Sequence, residues 1–210
     1  MVASRLRLYL VADPDLVDGS LTSVVSAAID GGVTCVQLRV KSGSDRVFER
    51  LGMEVANLCR ERATMFLVND RVDIALAVRA DGVHLGVDDI SIEAARRLGG
   101  GPLVVGYSPE TDQQAQVAAS RGADYLGVGP VFGTTSKHDA GEAIGLETLG
   151  RRARLSGIPT IGIGGITTAN AGQALAAGAC GVAVLSAILG SNEPTGAAIA
   201  LVLAMAGPSR

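Results

Sequence analysis

One phrase keeps returning along this chain: an Ala-rich helical tail, a glycine, then a run of β-branched and other apolar residues. It reads Asp30-Gly-Gly-Val33 into Thr34-Cys-Val-Gln-Leu38, and Arg79-Ala-Asp-Gly82 into Val83-His-Leu85. It returns as Arg121-Gly-Ala-Asp124 into Tyr125-Leu-Gly-Val128, and as Ala177-Gly-Ala-Cys-Gly181 into Val182-Ala-Val-Leu185. Glycine suits the left-handed residue that ends a helix. Runs that are continuously apolar, rather than alternating, suit parallel strands covered on both faces. Eight such runs can be marked: Leu8–Ala12, Cys35–Val40, Met65–Val68, Val83–Gly86, Leu103–Gly106, Tyr125–Val128, Thr160–Ile163 and Val182–Leu185. Helical stretches separate them, among them Leu21–Ile29, Val47–Glu61, Ile92–Leu98, Thr111–Ser120, Leu146–Leu155 and Ala169–Ala177. Eight βα units in 210 residues predict a single (β/α)8 barrel over residues 1–210. A doubly wound open sheet is the rival, and it requires a reversal of strand order.

Composition agrees with a parallel α/β protein. Aromatic residues make up only 3% and there are 28 glycines, so the core must be aliphatic and the turns tight. A net charge of −3 argues against nucleic acid, whose phosphate backbone is met by clustered Lys and Arg. Cys35, Cys59 and Cys180 are scattered without metal-ligand spacing, which predicts buried thiols of a reducing compartment. The apolar run Leu8–Ala12 is too short for a secretory core, and no stretch approaches a membrane span. A cytoplasmic protein is expected. Its most apolar tail, Ala197–Ala206, reads as a packing helix, with a homo-oligomer face as the alternative.

In a parallel barrel the carboxyl ends of the strands converge on one mouth. Strand two ends in Gln37-Leu-Arg39-Val-Lys41, where a period of two puts Gln37, Arg39 and Lys41 on one side. Strand three ends in Asn69-Asp70, Asp88-Asp89 follow strand four, and Ser108 ends strand five. Strand six runs into Gly129-Pro-Val-Phe-Gly-Thr134-Thr135-Ser136-Lys137; strand seven reaches Gly164-Gly165, and strand eight Leu185-Ser186. Acids placed where buried strands emerge need a cation, and Mg²⁺ held by Asp70 and Asp89 would supply it. Beside Arg39, Lys41 and Lys137, that mixture suits a metal-bound diphosphate. Gly164-Gly165, opening a helix through Thr167, with Ser186 on the next strand, suits a monophosphate held by backbone N–H groups. Two phosphorylated small-molecule substrates, with diphosphate leaving, follow from the two halves.

Each of these residues has a plainer reading. Asp70 or Asp89 could be a helix N-cap, as could Ser108 ahead of Pro109. Lys137 could be a solvated loop lysine, and Arg39 could form a structural ion pair with Asp70. His84 reads as a packing residue supporting the site, and Asp88 is the weaker of its acidic pair.

The blocks Val36-Gln-Leu-Arg-Val-Lys41, Asn69-Asp70-Arg71-Val-Asp73, Asp81-Gly-Val-His-Leu-Gly86, Gly127-Val-Gly-Pro-Val-Phe132 with Thr134 and Lys137, and Ile163-Gly-Gly-Ile166 resemble the thiamine-phosphate synthase family. The likeness covers essentially the whole chain, in order. It implies a TIM barrel and a transferase of thiamine biosynthesis. The reaction implied joins 4-amino-2-methyl-5-hydroxymethylpyrimidine diphosphate to hydroxyethylthiazole phosphate, giving thiamine phosphate and diphosphate. Carried over by motif, Asp70 and Asp89 hold Mg²⁺. Gln37, Arg39, Lys41, Asn69, Ser108 and Lys137 surround the pyrimidine diphosphate, with Lys137, Arg39 and Ser108 as the catalytic set. Thr134, Thr135, Ser136, Gly165, Leu185 and Ser186 receive the thiazole phosphate. The chain departs from the pattern at Val87, where Gln is usual, at Ser136, where Thr is common, and at Gly133 in the strand-six loop. A thiazole tautomerase-like relative and a non-catalytic phosphate-binding barrel are the competing functions.

Overall fold

Strands buried on both faces must be covered by helices outside and filled by side chains inside, and this chain does both. The computed structural model describes residues 2–134 and 141–206. Its eight strands are β1 (Leu8–Ala12), β2 (Cys35–Leu38), β3 (Met65–Asn69), β4 (Gly82–Leu85), β5 (Val104–Tyr107), β6 (Tyr125–Val128), β7 (Thr160–Ile163) and β8 (Gly181–Val184). They pair in parallel in sequence order, and β8 closes back onto β1 through Leu8↔Val182 and Leu10↔Val184. A closed barrel has no switch point, so the open-sheet alternative is excluded.

The helices between them are α1 (Val2–Arg5), α2 (Leu21–Asp30), α3 (Asp45–Glu61), α4 (Val72–Ala77), α5 (Ile92–Gly99), α6 (Asp112–Arg121), α7 (Gly145–Ser156), α8 (Ala171–Ala176), α9 (Ser186–Leu189) and α10 (Pro194–Ala206). Their starts follow capping chemistry. Ser20, Ser44 and Ser91 each accept from a backbone N–H of the first turn. Thr111 and Gln114 form a reciprocal capping box on α6. On α10, Ala198, Leu201 and Met205 are buried, in keeping with packing on the barrel.

At the amino ends of the strands, the acid of the recurring phrase ties neighbours together. Asp81 Oδ2 accepts from Phe66 N at 2.8 Å, and Asp124 Oδ2 from Val105 N at 2.8 Å. Arg96 pairs with Asp124 and also donates to the carbonyls of Gly122 and Leu103. This end is therefore stapled by side chains, which leaves the opposite end free to carry chemistry.

The left-handed helix end is not always glycine. Gly122 takes it after α6, whereas Ala63 (φ 52°) takes it after α3 and Arg79 (φ 54°) after α4. A Cβ in that region is strained. Ala63 is exposed, so nothing else depends on its methyl group. Ala63→Gly is expected to stabilise the fold by about 1 kcal/mol, raising the thermal midpoint by roughly 2–4 °C. A midpoint that falls in calorimetry would show that the strain is relieved elsewhere.

Candidate functional site

The carboxyl ends of the strands open into a cavity of about 550 Å³. Gln37, Arg39, Lys41, Asn69, Asp70, Asp89 and Ser108 all line it, as the strand-end reading expects. A second cavity of about 330 Å³ adjoins it and shares Ile163, Gly164 and Ala183 as a common wall. Thr134, Gly165, Leu185 and Ser186 line this second space. Thr135, Ser136 and Lys137 lie outside the described residues.

The two acids meet in the first cavity. Asp70 is not a helix cap: α4 starts at Val72, and the cap position before it is Arg71, which makes no side-chain cap hydrogen bond. Its backbone sits at φ 63°, held there while its N–H donates to His84 O at 2.9 Å. A non-glycine residue in that region is held against a conformational preference, which is common where function fixes a side chain. Asp89 Oδ2 accepts from Gly86 N at 2.7 Å. Burial pushes the Asp89 carboxyl above the usual carboxylate range, and the Asp70 charge beside it adds to the rise. Two adjacent carboxylates that resist ionising together are the donor set a hard divalent cation relieves. Among the described residues no group of three or more His, Cys, Asp or Glu side chains could hold a metal. A pair of this kind fits Mg²⁺, which is typically bound by one or two carboxylates with substrate phosphates and water completing the shell.

The cations are partnered differently from the expectation. Arg39 does not pair with Asp70. Its Nη1 donates to Asp13 Oδ2 at 2.5 Å, and Lys41 Nζ takes Asp70 at 2.8 Å. The barrel register explains this. Ala12 stands abreast of Leu38, so the residues that follow, Asp13 and Arg39, leave the sheet together, and Arg39 N donates to Ala12 O. Lys41, two residues further on, is the one that reaches across to β3. Asp13 is only 2% exposed and was missed at the sequence level, although it ends β1 in the same way that Asp70 follows β3.

Ser108 is not a helix cap either, since Thr111 fills that role on α6. Its Oγ lies 2.8 Å from His84 Nε2, and His84 Nδ1 lies 2.7 Å from the Tyr125 hydroxyl. His84 therefore supports a site residue from below, in line with its sequence reading. The loop after Ser108 is braced by Arg152 of α7, which donates to Pro109 O at 3.0 Å, to Glu110 O at 2.5 Å and to Asp112 Oδ1 at 3.1 Å. Arg151 and Arg152 hold the Asp112 carboxyl below its ordinary range. No local motif marks Arg152, because its partners lie some 40 residues earlier.

The glycine pair needs a correction. Gly164-Gly165 does not open a helix through Thr167; the chain turns at Thr167–Asn170 and α8 starts at Ala171. Asn170 closes that turn, accepting from Thr167 N at 2.8 Å and donating to Gly165 O at 2.9 Å. Both glycines have positive φ, and a Cβ would lie 2.5 Å from Pro130 Cβ at 164 and 2.5 Å from Gly133 O at 165. The base of the strand-six loop lies flat on them, with Val131 N donating to Ile163 O at 2.8 Å and Phe132 N to Gly164 O at 3.0 Å. The pair thus joins the loop that starts at Gly129 to the wall between the two cavities. Ser186 starts the short helix α9.

The thiols conform in part. Cys35 and Cys59 are buried and Cys180 is half-buried; none is in a disulfide. Burial pushes the Cys59 thiol to about 12, which keeps it protonated and inert. Among the described residues, no helix is long and apolar enough to cross a membrane.

Comparison with known proteins places this geometry. The model of the family described as thiamine monophosphate synthase matches residues 8–188. The chain is 47% identical over 195 residues to a thiamine-phosphate synthase of Roseiflexus sp. (strain RS-1), covering 92% of this chain and 83% of that one. It is 45% identical to the thiamine-phosphate synthase of Haloarcula marismortui over 198 residues, covering 92% and 94%. The solved thiamine phosphate pyrophosphorylase of Pyrococcus furiosus superposes with a TM-score of 0.90 at 37% identity, covering 98% of each chain. A family match across all eight strands, a structural match across almost the full length, and paired acids and cations at one barrel mouth lead to one conclusion: the chain belongs to the thiamine monophosphate synthase family.

Proposed function

We propose that the chain carries out the reaction for which its relatives are named. It condenses 4-amino-2-methyl-5-hydroxymethylpyrimidine diphosphate with hydroxyethylthiazole phosphate, forming thiamine phosphate and diphosphate in a Mg²⁺-dependent step. The observation that carries the reading is the pair of adjoining cavities at one mouth. One holds facing carboxylates with Arg39 and Lys41, and the other is walled by Gly164-Gly165 and Ser186. The diphosphate belongs in the first and the thiazole phosphate in the second.

The chain's own groups act mainly by charge. Arg39 and Lys41 offer guanidinium and ammonium donors to the diphosphate oxygens. As the C–O bond breaks, its electron pair leaves with the diphosphate, and those donors stabilise the growing negative charge. The thiazole nitrogen then gives its lone pair to the pyrimidine methylene carbon, forming the C–N bond. When bound by Asp70 and Asp89, Mg²⁺ supplies further positive charge at the leaving oxygens. The Lys41–Asp70 ion pair gives the lysine a resting partner until a phosphate arrives. Lys137 completes the proposed set from sequence alone. We also assign the protein to the cytoplasm, on the strength of thiols without disulfides.

The test is diphosphate release by purified protein with both substrates and Mg²⁺. Release is expected to require the thiazole phosphate and to vanish with EDTA. Isomerisation of a thiazole phosphate without diphosphate would replace this reading with a tautomerase, and binding without turnover would replace it with a phosphate-binding barrel.

A further inference from the structure

At the amino end of the barrel, opposite the mouth, a separate cavity of about 210 Å³ opens beside the turns that lead into β3 and β4. Three arginines line it from different elements: Arg5 at the end of α1, Arg60 near the end of α3 and Arg79 in the turn between α4 and β4. One acid, Asp81, lines it as well. Cys59 is part of the wall, and burial keeps its thiol protonated, so it adds no charge. Three guanidinium groups against one carboxylate leave this small space two positive charges in surplus, in a chain whose net charge is −3.

Residues at the amino end of a barrel ordinarily serve stability. Asp81 does, since its Oδ2 accepts from Phe66 N at 2.8 Å. Arg5 Nη2 stands 3.4 Å from the same oxygen with both side chains partly exposed, a long contact that water weakens. The other two arginines join nothing across the barrel. Arg60 Nη1 donates to Asn57 Oδ1 on its own helix at 2.9 Å. Among the described residues, the Arg79 guanidinium has no hydrogen-bond or ion-pair partner. Arg79 also sits at φ 54°, the left-handed region that Gly122 occupies after α6. Strain alone would say little, but here it coincides with an unpartnered charge on a cavity wall. A residue held against its preference with nothing in the fold to hold it points to a use beyond the fold.

We propose that this cavity is a phosphate-binding site separate from the mouth, where Arg5, Arg60 and Arg79 take up a dianionic phosphate, free or as the end of a small phosphate ester. Guanidinium forks match phosphate oxygens in pairs, and two surplus positive charges match a dianion. The cavity is smaller than the roughly 300 Å³ at which sites for drug-sized ligands begin, so it suits a phosphate group and not a nucleotide. Asp81 keeps its bond to Phe66 N when the ligand arrives, and only its weak contact with Arg5 is given up. The site owes nothing to the reaction proposed above, and its test stands apart from that one.

The test is calorimetric titration of the protein in EDTA with inorganic phosphate, at low ionic strength because salt screens exposed arginines. Saturable binding is expected in the parent. Arg79→Gly and Arg60→Gln are each expected to weaken it by about 10-fold or more, the size of losing one charged hydrogen-bonding partner. Phosphate held at the mouth is blind to both substitutions, so the change reports this cavity. Arg79→Gly is also expected to raise the phosphate-free thermal midpoint by roughly 2–4 °C as the strain is released. An arginine that served the fold alone would lower the midpoint and leave phosphate binding where it was. Arg60→Gln lies on an exposed helix surface and serves if the first variant does not fold. Glycerol 1-phosphate separates the two sources: affinity at or above that of inorganic phosphate assigns an ester, and weaker affinity assigns the free ion. Malonate, a dianion without the phosphate geometry, is expected to bind at least about 10-fold more weakly. No saturable binding in the parent, parental affinity in both variants, or malonate bound as tightly as phosphate overturns the proposal.

Discussion

Asp89→Asn is expected to lower turnover by about 10²–10³, the scale of losing one preorganised charge-stabilising group, while making the metal-free protein more heat-resistant above the carboxylate range. The two effects share a cause. The Asp89 carboxyl is raised by burial and by the neighbouring Asp70 charge, so ionising it is harder in the folded chain than in the unfolded one. As pH climbs from the ordinary carboxylate range through the raised folded value, the folded state loses stability, and the loss is complete once both states are ionised. Asparagine imitates the protonated carboxyl and keeps an oxygen for Gly86 N–H, so it removes the penalty and leaves the loop intact. Below the carboxylate range, parent and variant should converge. Adding Mg²⁺ with diphosphate should stabilise the parent and leave the variant unmoved, since a ligand stabilises only the state that binds it. Unfolding scans across pH, with and without Mg²⁺ and diphosphate, together with steady-state turnover, measure all of this. A variant with parental turnover and an unchanged Mg²⁺ titration would remove Asp89 from the metal site.

Which of these residues could be seen beforehand follows from how a barrel uses its strands. Because each strand is covered on both faces, its residues form an unbroken apolar run, and all eight runs correspond to strands. Edges slipped by one or two residues. β4 starts at Gly82 and β8 at Gly181, glycines read as punctuation although each lies in the sheet. A Cβ at Gly82 would lie 2.0 Å from Val104 O, so the residue is glycine to let the strands approach, not to end a helix. Helix α4 spans only six residues, too few to show a clear helical period by themselves.

The site was legible where position along the strand was enough. Gln37, Arg39, Lys41, Asn69, Asp70, Asp89 and Ser108 all end or follow strands, and all reach one cavity. Partnership was not legible. Tyr9 and Tyr125 look like ordinary core residues, and they touch only because a closed barrel brings β1 and β6 together across its interior, 116 residues apart. Arg39 was set against Asp70 because both are charged strand-end residues, but the register puts Asp13 abreast of it first. Spacing shows which end of the barrel a residue occupies; the neighbour it meets depends on strand pairing and on which side chains share the interior.

That neighbour makes the second large prediction. Asp13 and Arg39 form an ion pair whose carboxylate side chain is 3% exposed and whose guanidinium side chain is 14% exposed. Removing only the cation, as in Arg39→Met, strands a buried carboxylate and is expected to destabilise the fold by about 3–5 kcal/mol. Turnover should fall as well, by about 10²–10³, because the same guanidinium is the proposed partner of the diphosphate. Stability and chemistry are confounded in that variant, and a second substitution separates them. Asp13→Asn removes the buried charge but keeps an oxygen for Asp15 N, which Asp13 now caps at 3.1 Å. The double variant Arg39→Met with Asp13→Asn is therefore expected to regain most of the lost stability in chemical denaturation and none of the lost turnover. If the double variant stays as unstable as Arg39→Met alone, the cost lies in lost packing of the long arginine stem and not in the orphaned charge. If it regains turnover along with stability, the charge on Arg39 serves the fold, and the diphosphate must be held by Lys41 and the groups around it.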